Sequence, residues 1–281
     1  MPDSSIPPTI DTSVASIARV YDCFLGGKDN FEADRVVYRN VRDIAPEAPA
    51  LAVAGRRFLS RAVTYLADEA GIDQFLDLGC GLPTADNTHQ IAQRCNRQAR
   101  VVYVDNDPSV AAHARVMLTD DPDVDFAVAD LRDPAAVLNH PTVQAALDFT
   151  RPIALLQAGT LHHLDDDEQP AEIMRTYIDA LTAGSYVVLS HFHNPGDGSD
   201  HAELAREIEH RLRSSSMQTS RFRSLDDIRT FLAGLVLVPS SPLPGAPGIV
   251  PVREWWPPGP CLRQPRPTDE LLVGALARKP R

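Results

Sequence analysis

Apolar runs and turn-forming residues alternate along the middle of this chain with the spacing of a parallel α/β sheet. Short apolar runs predict strands, and longer stretches with apolar positions three or four apart predict helices between them. Because strand and helix follow each other in turn, we expect a mostly parallel sheet with helices on both faces. The predicted strands are residues 74–78, 100–104, 124–129, 153–158 and 185–190, and the predicted helices between them are 87–96, 108–118, 134–139 and 168–182.

The residues before the first strand have a helical pattern. Ser13 is a candidate N-cap for a helix that ends at Gly26-Gly27, and a second helix is predicted over residues 30–43. Pro46 and Pro49 are expected to break that helix before a third one at 56–70. We therefore predict a helical extension or lid over residues 1–71 and an α/β domain over residues 72–281, both within one compact unit.

The last third of the chain lacks the regular alternation of strand and helix. Helices are predicted over residues 201–213 and, after the capping residue Ser224, up to residue 233. Apolar stretches at 235–238 and 271–278 predict two strands, separated by a proline-rich segment over residues 239–267. We expect these two strands to form an antiparallel hairpin at the edge of the sheet.

Composition restricts the class of protein. The net charge of −11 over 281 residues argues against a nucleic-acid partner, since phosphate binding needs clustered Lys and Arg. No apolar run is long enough for a membrane span, and the N-terminus lacks a signal-peptide pattern. The four cysteines are scattered, without metal-ligand spacing. We expect a cytoplasmic protein with reduced thiols and no metal.

Acidic residues stand where three predicted strands end. Asp77 precedes the turn Gly79-Cys80-Gly81, Asp105 closes the second strand, and Asp130 closes the third. In a parallel sheet these positions share one rim, beside the crevice where ligands bind. An acidic residue after the second strand is placed to hydrogen-bond the hydroxyls of a ribose, and Asp130 with the backbone of Leu131 could meet an adenine amine.

The residues after the glycine turn indicate which of two kinds of cofactor the turn binds. A dinucleotide fingerprint has a third glycine that lets a helix N-terminus approach a pyrophosphate. This chain has Leu82-Pro83-Thr84 at that place, and no phosphate-binding Lys follows. The turn therefore favours a cofactor with a sulfonium and an amino-acid tail over a nicotinamide dinucleotide.

With these residues, the chain resembles class I S-adenosylmethionine-dependent methyltransferases, and more closely the actinobacterial S-adenosyl methyltransferase family once catalogued as a domain of unknown function. The resemblance covers most of residues 13–193. It is carried by Gly26-Gly27-Lys28-Asp29-Asn30-Phe31, Asp77-Leu78-Gly79, Gly81-Leu82-Pro83-Thr84, Asp105-Asn106-Asp107-Pro108 and Asp130-Leu131-Arg132-Asp133-Pro134.

The resemblance implies a Rossmann-like, seven-stranded sheet that ends in the reversed hairpin. It also implies S-adenosyl-L-methionine as the cofactor, with the methionine side at Asp77, Gly79 and Gly81, the ribose at Asp105 beside Asn106, and the adenine at Asp130 with Leu131. It does not supply the methyl acceptor.

Two histidines are candidate catalytic groups because both follow strands of the predicted sheet. His162 lies after the fourth strand, where a general base and a local structural role are both open, and His191 ends the fifth. The loop over residues 26–34 is either a solvated linker or a lid over the cofactor, to which Tyr21 and Asn30 contribute. Trp255 and Trp256 form either an apolar wall for an acceptor or plain packing.

These patterns predict an enzyme that transfers a methyl group directly from S-adenosylmethionine to the oxygen or nitrogen of a small molecule. The alternatives are a regulatory protein that binds the cofactor without catalysis and, less favoured, a nicotinamide-dependent oxidoreductase. We expect no nucleic-acid or membrane partner, and the oligomeric state stays open.

Overall fold

The central strands lie where the apolar runs predict them. The computed structural model describes residues 10–84, 86–117, 121–257, 259 and 266–281, so the first nine residues of the predicted extension lie outside it. Each strand begins and ends within two residues of its predicted bounds, because buried strands are built mainly from short apolar runs. The five parallel strands are β1 (Gln74–Leu78), β2 (Arg100–Asp105), β3 (Val124–Val128), β4 (Ala154–Ala158) and β5 (Tyr186–Phe192).

The order of these strands creates the expected crevice. Across the sheet they run β3-β2-β1-β4-β5, so the order reverses between β1 and β4. All five are parallel, and their carboxyl ends therefore lie along one edge of the sheet. Ligands of such sheets bind outside the carboxyl ends at the reversal.

The far side of the sheet is antiparallel, which confirms the predicted hairpin. Strand β8 (Leu272–Arg278) pairs antiparallel with β5. Two short strands, β6 (Val236–Leu237) and β7 (Ile249–Pro251), pair with different parts of the other edge of β8. The sheet therefore has eight strands rather than seven, because the proline-rich segment divides the edge position between two short pieces.

Helices cover the sheet as predicted, with one addition. The short helix α7 follows α6 directly and was not predicted, because its proline start resembles a turn. In the part of the chain that the structure describes, no helix has the length and apolar character needed to cross a membrane. The helices are α1 (Ile17–Leu25), α2 (Glu32–Arg42), α3 (Ala48–Asp68), α4 (Thr88–Cys95), α5 (Pro108–Met117), α6 (Pro134–Leu138), α7 (Pro141–Ala146), α8 (Pro170–Ala180), α9 (Asp200–Arg213) and α10 (Leu225–Thr230).

Helix α1 begins later than the sequence predicts. Ser16, not Ser13, is its N-cap, and the Ser16 hydroxyl accepts a hydrogen bond from the backbone N–H of Arg19. The Ser13 hydroxyl instead donates to the carboxylate of Asp11. The predicted end is confirmed, since Gly26 caps the helix in the left-handed conformation with φ of 78°.

Helix α3 begins earlier than the sequence predicts. Pro49 was expected to break the helix, but it lies in the first turn, where a missing backbone N–H costs nothing. The additional turns carry Leu51 and Ala52, which line the cavity described below.

The middle of α3 packs directly on the sheet. A Cβ atom at Gly274 of β8 would lie 2.7 Å from the ring of Phe58, so the glycine lets the helix approach the strand closely. The ring of Phe58 also makes an edge contact with Trp255, with ring centroids 5.6 Å apart. Trp255 is fully buried and Trp256 packs beside it on Tyr65, so both tryptophans serve packing and neither lines the cavity.

Candidate functional site

A cavity of about 520 Å³ extends over the carboxyl ends of β1 to β5. Helices α1 and α3 form its roof, and α9 with the segment after it closes the side beyond β5. Because β2 and β3 lie on one side of β1 while β4 and β5 lie on the other, the two ends of the cavity have different walls.

The glycine turn forms the floor beside β1. Gly79 and Gly81 both have positive φ, 66° and 69°, which L-residues with a side chain adopt only at a cost. A Cβ atom at Gly79 would lie 2.6 Å from Cγ2 of Thr160, so this glycine also allows the close packing of the turn after β4. No atom of the described residues lies within 4 Å of a Cβ built on Gly81, so this position faces open space.

The Asp105 carboxylate holds the glycine turn in place. One oxygen accepts the backbone N–H of Gly81 at 2.9 Å, and the other accepts the backbone N–H of Asp107 at 2.9 Å. Burial raises the pKa of Asp105, and these two hydrogen bonds oppose that shift. The carboxylate lines the cavity and keeps acceptor capacity for a ligand hydroxyl.

Asp77 lies deeper in the same wall. Its Oδ2 accepts the hydroxyl of Thr88 at 2.7 Å. Burial raises the pKa of Asp77 to about 6, against the lowering effects of Thr88 and of the nearby Arg56 guanidinium. A carboxylate that is buried in the cavity wall and hydrogen-bonded to a neutral hydroxyl is suited to a cationic ligand group.

Asp130 completes the acidic end. Its carboxylate accepts hydrogen bonds from Arg132 and from the side-chain amide of Asn106, the latter at 3.1 Å. Partial burial raises the pKa of Asp130, but the bonds from Arg132 outweigh it and the net pKa is lowered. Asn106, Asp130 and Leu131 all line the cavity. We call the end formed by Asp77, Gly79, Gly81, Asp105, Asn106, Asp130 and Leu131 the acidic rim.

Helix α1 is tied to this rim by buried polar contacts that the sequence analysis did not identify. Nε of Arg19 donates to the Asp34 carboxylate at 2.9 Å, and both side chains are almost fully buried. Nη1 of Arg19 reaches the hydroxyl of Ser109 at 3.1 Å, and the hydroxyl of Ser16 donates to Asp107. These bonds fix α1 above the loop that follows β2.

Tyr21 and Asn30, the two predicted lid residues, lie in different places. Tyr21 lines the cavity, and its hydroxyl donates to the carbonyl of Ala52 at 3.2 Å. Asn30 does not line the cavity: its amide donates to the Asp22 carboxylate at 2.8 Å and thereby holds the turn after α1.

The opposite end of the cavity is apolar. Every charged side chain among the described lining residues belongs to the acidic rim or to its immediate neighbours Arg56, Asp107 and Arg132. Side chains from α1, α3, β5, α9 and the segment after α9 form the remaining wall. We call this end the apolar chamber; its main members are Phe24, Leu51, Phe192, Leu212, Met217 and Phe222.

His162 lies in the wall of the apolar chamber. It is 4% exposed, and neither ring nitrogen has a hydrogen-bond partner among the described residues; Nδ1 is completely buried. Burial lowers the pKa of His162 well below its usual value, with smaller contributions from His163, His191 and Arg223. The imidazole is therefore neutral at physiological pH and can accept or donate one hydrogen bond.

His191 lies under the wall rather than in it. Its neighbours Ser190 and Phe192 line the cavity, but His191 does not, because side chains alternate along a strand. Nδ1 contacts the carbonyl of Phe192 at 2.7 Å, and Nε2 is occupied by a bond from Arg223 at 3.0 Å. This position does not suit the catalytic role expected from the sequence, since no lone pair faces the cavity.

Comparisons with known proteins match this chain to one protein family over nearly its whole length. The model of a family described as S-adenosyl methyltransferase matches residues 3–280. A crystal structure of a provisionally assigned methyltransferase from Thermobifida fusca YX is 39% identical, with a TM-score of 0.89 over 98% of each chain. A DUF574 family protein from Streptomyces avermitilis is 36% identical, with a TM-score of 0.88 over 97% of this chain and 100% of that one. A search among proteins with curated descriptions gave no match.

Proposed function

The chain belongs to the S-adenosyl methyltransferase family, and on this premise we propose that it binds S-adenosylmethionine at the acidic rim and a small, uncharged methyl acceptor in the apolar chamber. S-adenosylmethionine is the cofactor of this family and methyl transfer is its reaction.

One observation carries the proposal. A single cavity joins a rim of carboxylates and open backbone to a chamber without charged side chains. A cofactor with hydroxyls, amines and a positive charge matches the first end, because carboxylates accept hydrogen bonds from such groups. An acceptor at the second end must be largely apolar, since a charged group buried there would lose its hydration without a partner.

The rim residues fit the cofactor by chemistry. Asp77 is a buried carboxylate suited to an ammonium group, and Asp105 is suited to the two hydroxyls of a ribose. Asp130 with Asn106 and Leu131 would meet the adenine. The open space at Gly81 supports this assignment, because a ligand can approach the backbone of the turn there.

The protein has few tasks in the transfer itself. When bound, S-adenosylmethionine supplies an already activated methyl group on a positively charged sulfur. The chain has to align the acceptor with that methyl group and to exclude water from the cavity. His162 is the polar group placed to orient the acceptor, and its low pKa keeps a lone pair free. His191 keeps the wall of the chamber in place.

We further propose that residues 10–43 act as the lid over this cavity. Tyr21 and the neighbouring α1 side chains cover the space above the rim, and Arg19 with Asp34 fastens them. Val20, Val37 and Val41 of α1 and α2 belong to the same apolar core that joins α3 to the sheet. The proposed lid is therefore defined by its position over the rim and by the Arg19–Asp34 contact.

Calorimetric titration with S-adenosylmethionine, S-adenosylhomocysteine and NAD tests the cofactor assignment. We expect the first two to bind and NAD not to. Asp105→Asn should weaken binding by roughly tenfold or more, since hydrogen bonds to charged groups contribute about 1.5–3 kcal/mol. Asp123→Asn is the matched control, because Asp123 precedes β3 at the opposite edge of the sheet and pairs with Arg100. Tighter binding of NAD would contradict the proposal.

Transfer of a labelled methyl group tests the acceptor side. When the protein is incubated with methyl-labelled cofactor and a cell extract, the label should enter low-mass, organic-soluble compounds. Binding without any transfer would favour the regulatory alternative, and label in protein or RNA would contradict a small acceptor.

A further inference from the structure

Four aromatic side chains form a continuous row along the wall of the apolar chamber. The ring centroids of His163 and His162 are 4.3 Å apart, those of His162 and Phe192 are 4.0 Å apart, and those of Phe192 and Phe222 are 4.5 Å apart. All four rings line the cavity. They come from three separate parts of the chain, the turn after β4, the end of β5 and the segment after α9, so the row exists only in the folded protein.

Phe192, in the middle of the row, presents its ring edge to the chamber. Phe192 stacks on Phe222 with an interplanar angle of 6°, and His162 lies against Phe192 with a tilt of 31°. Two rings this close cannot share one face of Phe192, so they cover both faces, and the part that lines the cavity is the ring edge. Ring edges carry partial positive charge and prefer the negative face of another aromatic ring.

The rest of the chamber has no charged partner for a ligand but does have uncharged polar groups. Leu212, Met217 and Leu271 add apolar surface, and Met sulfur contacts aromatic rings favourably. Thr219 is already bonded to Nδ1 of His163 at 2.8 Å. His162 is 4% exposed and its ring has no hydrogen-bond partner among the described residues; Ser190 and Thr268 are further buried polar residues that line the cavity. Nδ1 has no accessible surface, so a hydrogen bond from a ligand to this ring is made at Nε2.

Resting on the proposed function, we propose that the acceptor is an uncharged, electron-rich aromatic compound with a hydroxyl group. Its ring face packs against the edge of Phe192, beside His162 and Phe222, and its hydroxyl hydrogen-bonds to Nε2 of His162. A protonated amine does not fit, since the chamber has no carboxylate among its described lining residues, and a carboxylate or phosphate finds no cation there. A saturated ring of the same size buries a similar apolar area but cannot make the edge-to-face contact.

Three probes of matched size separate these contributions: 2-naphthol, naphthalene and decahydro-2-naphthol. Each is titrated by NMR or calorimetry into the full-length protein saturated with S-adenosylhomocysteine. We expect 2-naphthol to bind about five- to tenfold more tightly than naphthalene, because of the hydrogen bond, and than the saturated alcohol, because of the ring contact. This comparison needs no variant, so it does not depend on how a substitution folds.

Two variants assign each preference to a residue. His162→Phe keeps a ring in the row but removes the nitrogens, so naphthalene should bind unchanged while the advantage of 2-naphthol disappears. Phe222→Leu keeps apolar volume but removes the end of the row, so both aromatic probes should lose affinity and the saturated alcohol should not. Leu243→Ala, at a residue that is 70% exposed, is the control and should change nothing.

The outcomes are distinguishable from those of the proposed function. If S-adenosylhomocysteine itself does not bind, the proposed function is wrong and the inference with it. If it binds but decahydro-2-naphthol binds as tightly as 2-naphthol, or no probe binds, the aromatic acceptor alone is overturned. An unchanged preference for 2-naphthol in His162→Phe would overturn the role of His162.

Discussion

The His191 imidazole and the Arg223 guanidinium form a buried hydrogen-bonded pair beneath the candidate site. Nη1 of Arg223 lies 3.0 Å from Nε2 of His191, and both side chains are less than one-tenth exposed. Other Arg223 N–H groups donate to the backbone carbonyls of Leu161 and Leu164, at 3.3 and 2.8 Å. The pair therefore joins β5 to the turn that carries His162, and it positions that turn.

This pair predicts that substitution of His191 affects stability and not cofactor binding. His191→Asn should lower the free energy of unfolding by about 1–3 kcal/mol, because the Arg223 donor loses its partner in a buried place. The affinity for S-adenosylhomocysteine should stay unchanged. Urea denaturation and calorimetry measure the two quantities. A variant of normal stability that no longer transfers methyl groups would instead restore the catalytic role expected from the sequence.

Acid should destabilise the protein through its buried histidines. Burial lowers the pKa of His191 to about 3 and that of His163 to about 4, whereas the unfolded chain has pKa values near 6.5. The unfolded state therefore binds more protons between pH 6.5 and 4, and the stability that these histidines contribute is lost as the pH falls through that window. The slope of unfolding free energy against pH should become smaller in His163→Gln, and an unchanged slope would contradict this assignment.

The pKa of Asp77 predicts a pH dependence of cofactor binding with a known sign. Because burial raises this pKa to about 6, Asp77 is mostly ionised at pH 8 and mostly protonated at pH 5. A cationic cofactor group favours the ionised form, so affinity for S-adenosylmethionine should fall as the pH drops below 6, by at most about tenfold per pH unit. Calorimetry between pH 5 and 8 tests this.

The substitution Asp77→Asn tests whether Asp77 is the group that causes this pH dependence. Asp77→Asn should bind the cofactor weakly at every pH, and the dependence centred near 6 should be absent. If the wild-type dependence persists in Asp77→Asn, another group titrates and Asp77 does not contact the cation.

The two glycines of the turn should tolerate alanine differently. Gly79→Ala introduces a Cβ 2.6 Å from Thr160 in addition to a strained φ, whereas Gly81→Ala has only the strained φ. We expect Gly81→Ala to lose about 1–2 kcal/mol of stability and Gly79→Ala to lose more. Gly81→Ala should nonetheless weaken cofactor binding, because the added methyl group occupies open space at the rim. Equal stability of the two variants would contradict the close approach at Gly79.

The buried ion pair of Arg19 and Asp34 should contribute more to stability than the exposed ion pairs of Glu32 nearby. Removing one partner leaves a buried charge unpaired, so Arg19→Met or Asp34→Asn should cost about 3–5 kcal/mol. Each should also weaken S-adenosylhomocysteine binding, since α1 covers the rim. Glu32→Gln breaks exposed ion pairs with Arg35 and Arg39 and should cost at most about 1 kcal/mol. Normal cofactor affinity in Arg19→Met would contradict the lid.

The local pattern of apolar residues was enough to predict the strands of the sheet, but not where every helix begins. The five parallel strands are mainly apolar, and such runs between polar stretches are enough to locate them. Helix α1 starts at Ser16 instead of Ser13, and α3 starts before Pro49. In both cases the sequence offers more than one residue that could begin the helix, and the hydrogen bonds of the folded chain select one of them. The division of the last edge strand into β6 and β7 followed from how the proline-rich segment meets β8, which is a contact between distant residues.

The sequence by itself determined the acidic rim, because Asp77, Asp105 and Asp130 each lie at or near the carboxyl end of a strand, and parallel strands bring these ends together. Only the tertiary structure decided the rest of the site. It placed His162 in the cavity wall and His191 behind it, and it brought Phe192 and Phe222 into one row. It also buried Arg19 against Asp34, although neither residue differs in type from the many exposed charges of the chain. The reason is that a rim built at successive strand ends is a local feature of the chain, whereas the chamber is formed by side chains that meet only when helices and sheet pack.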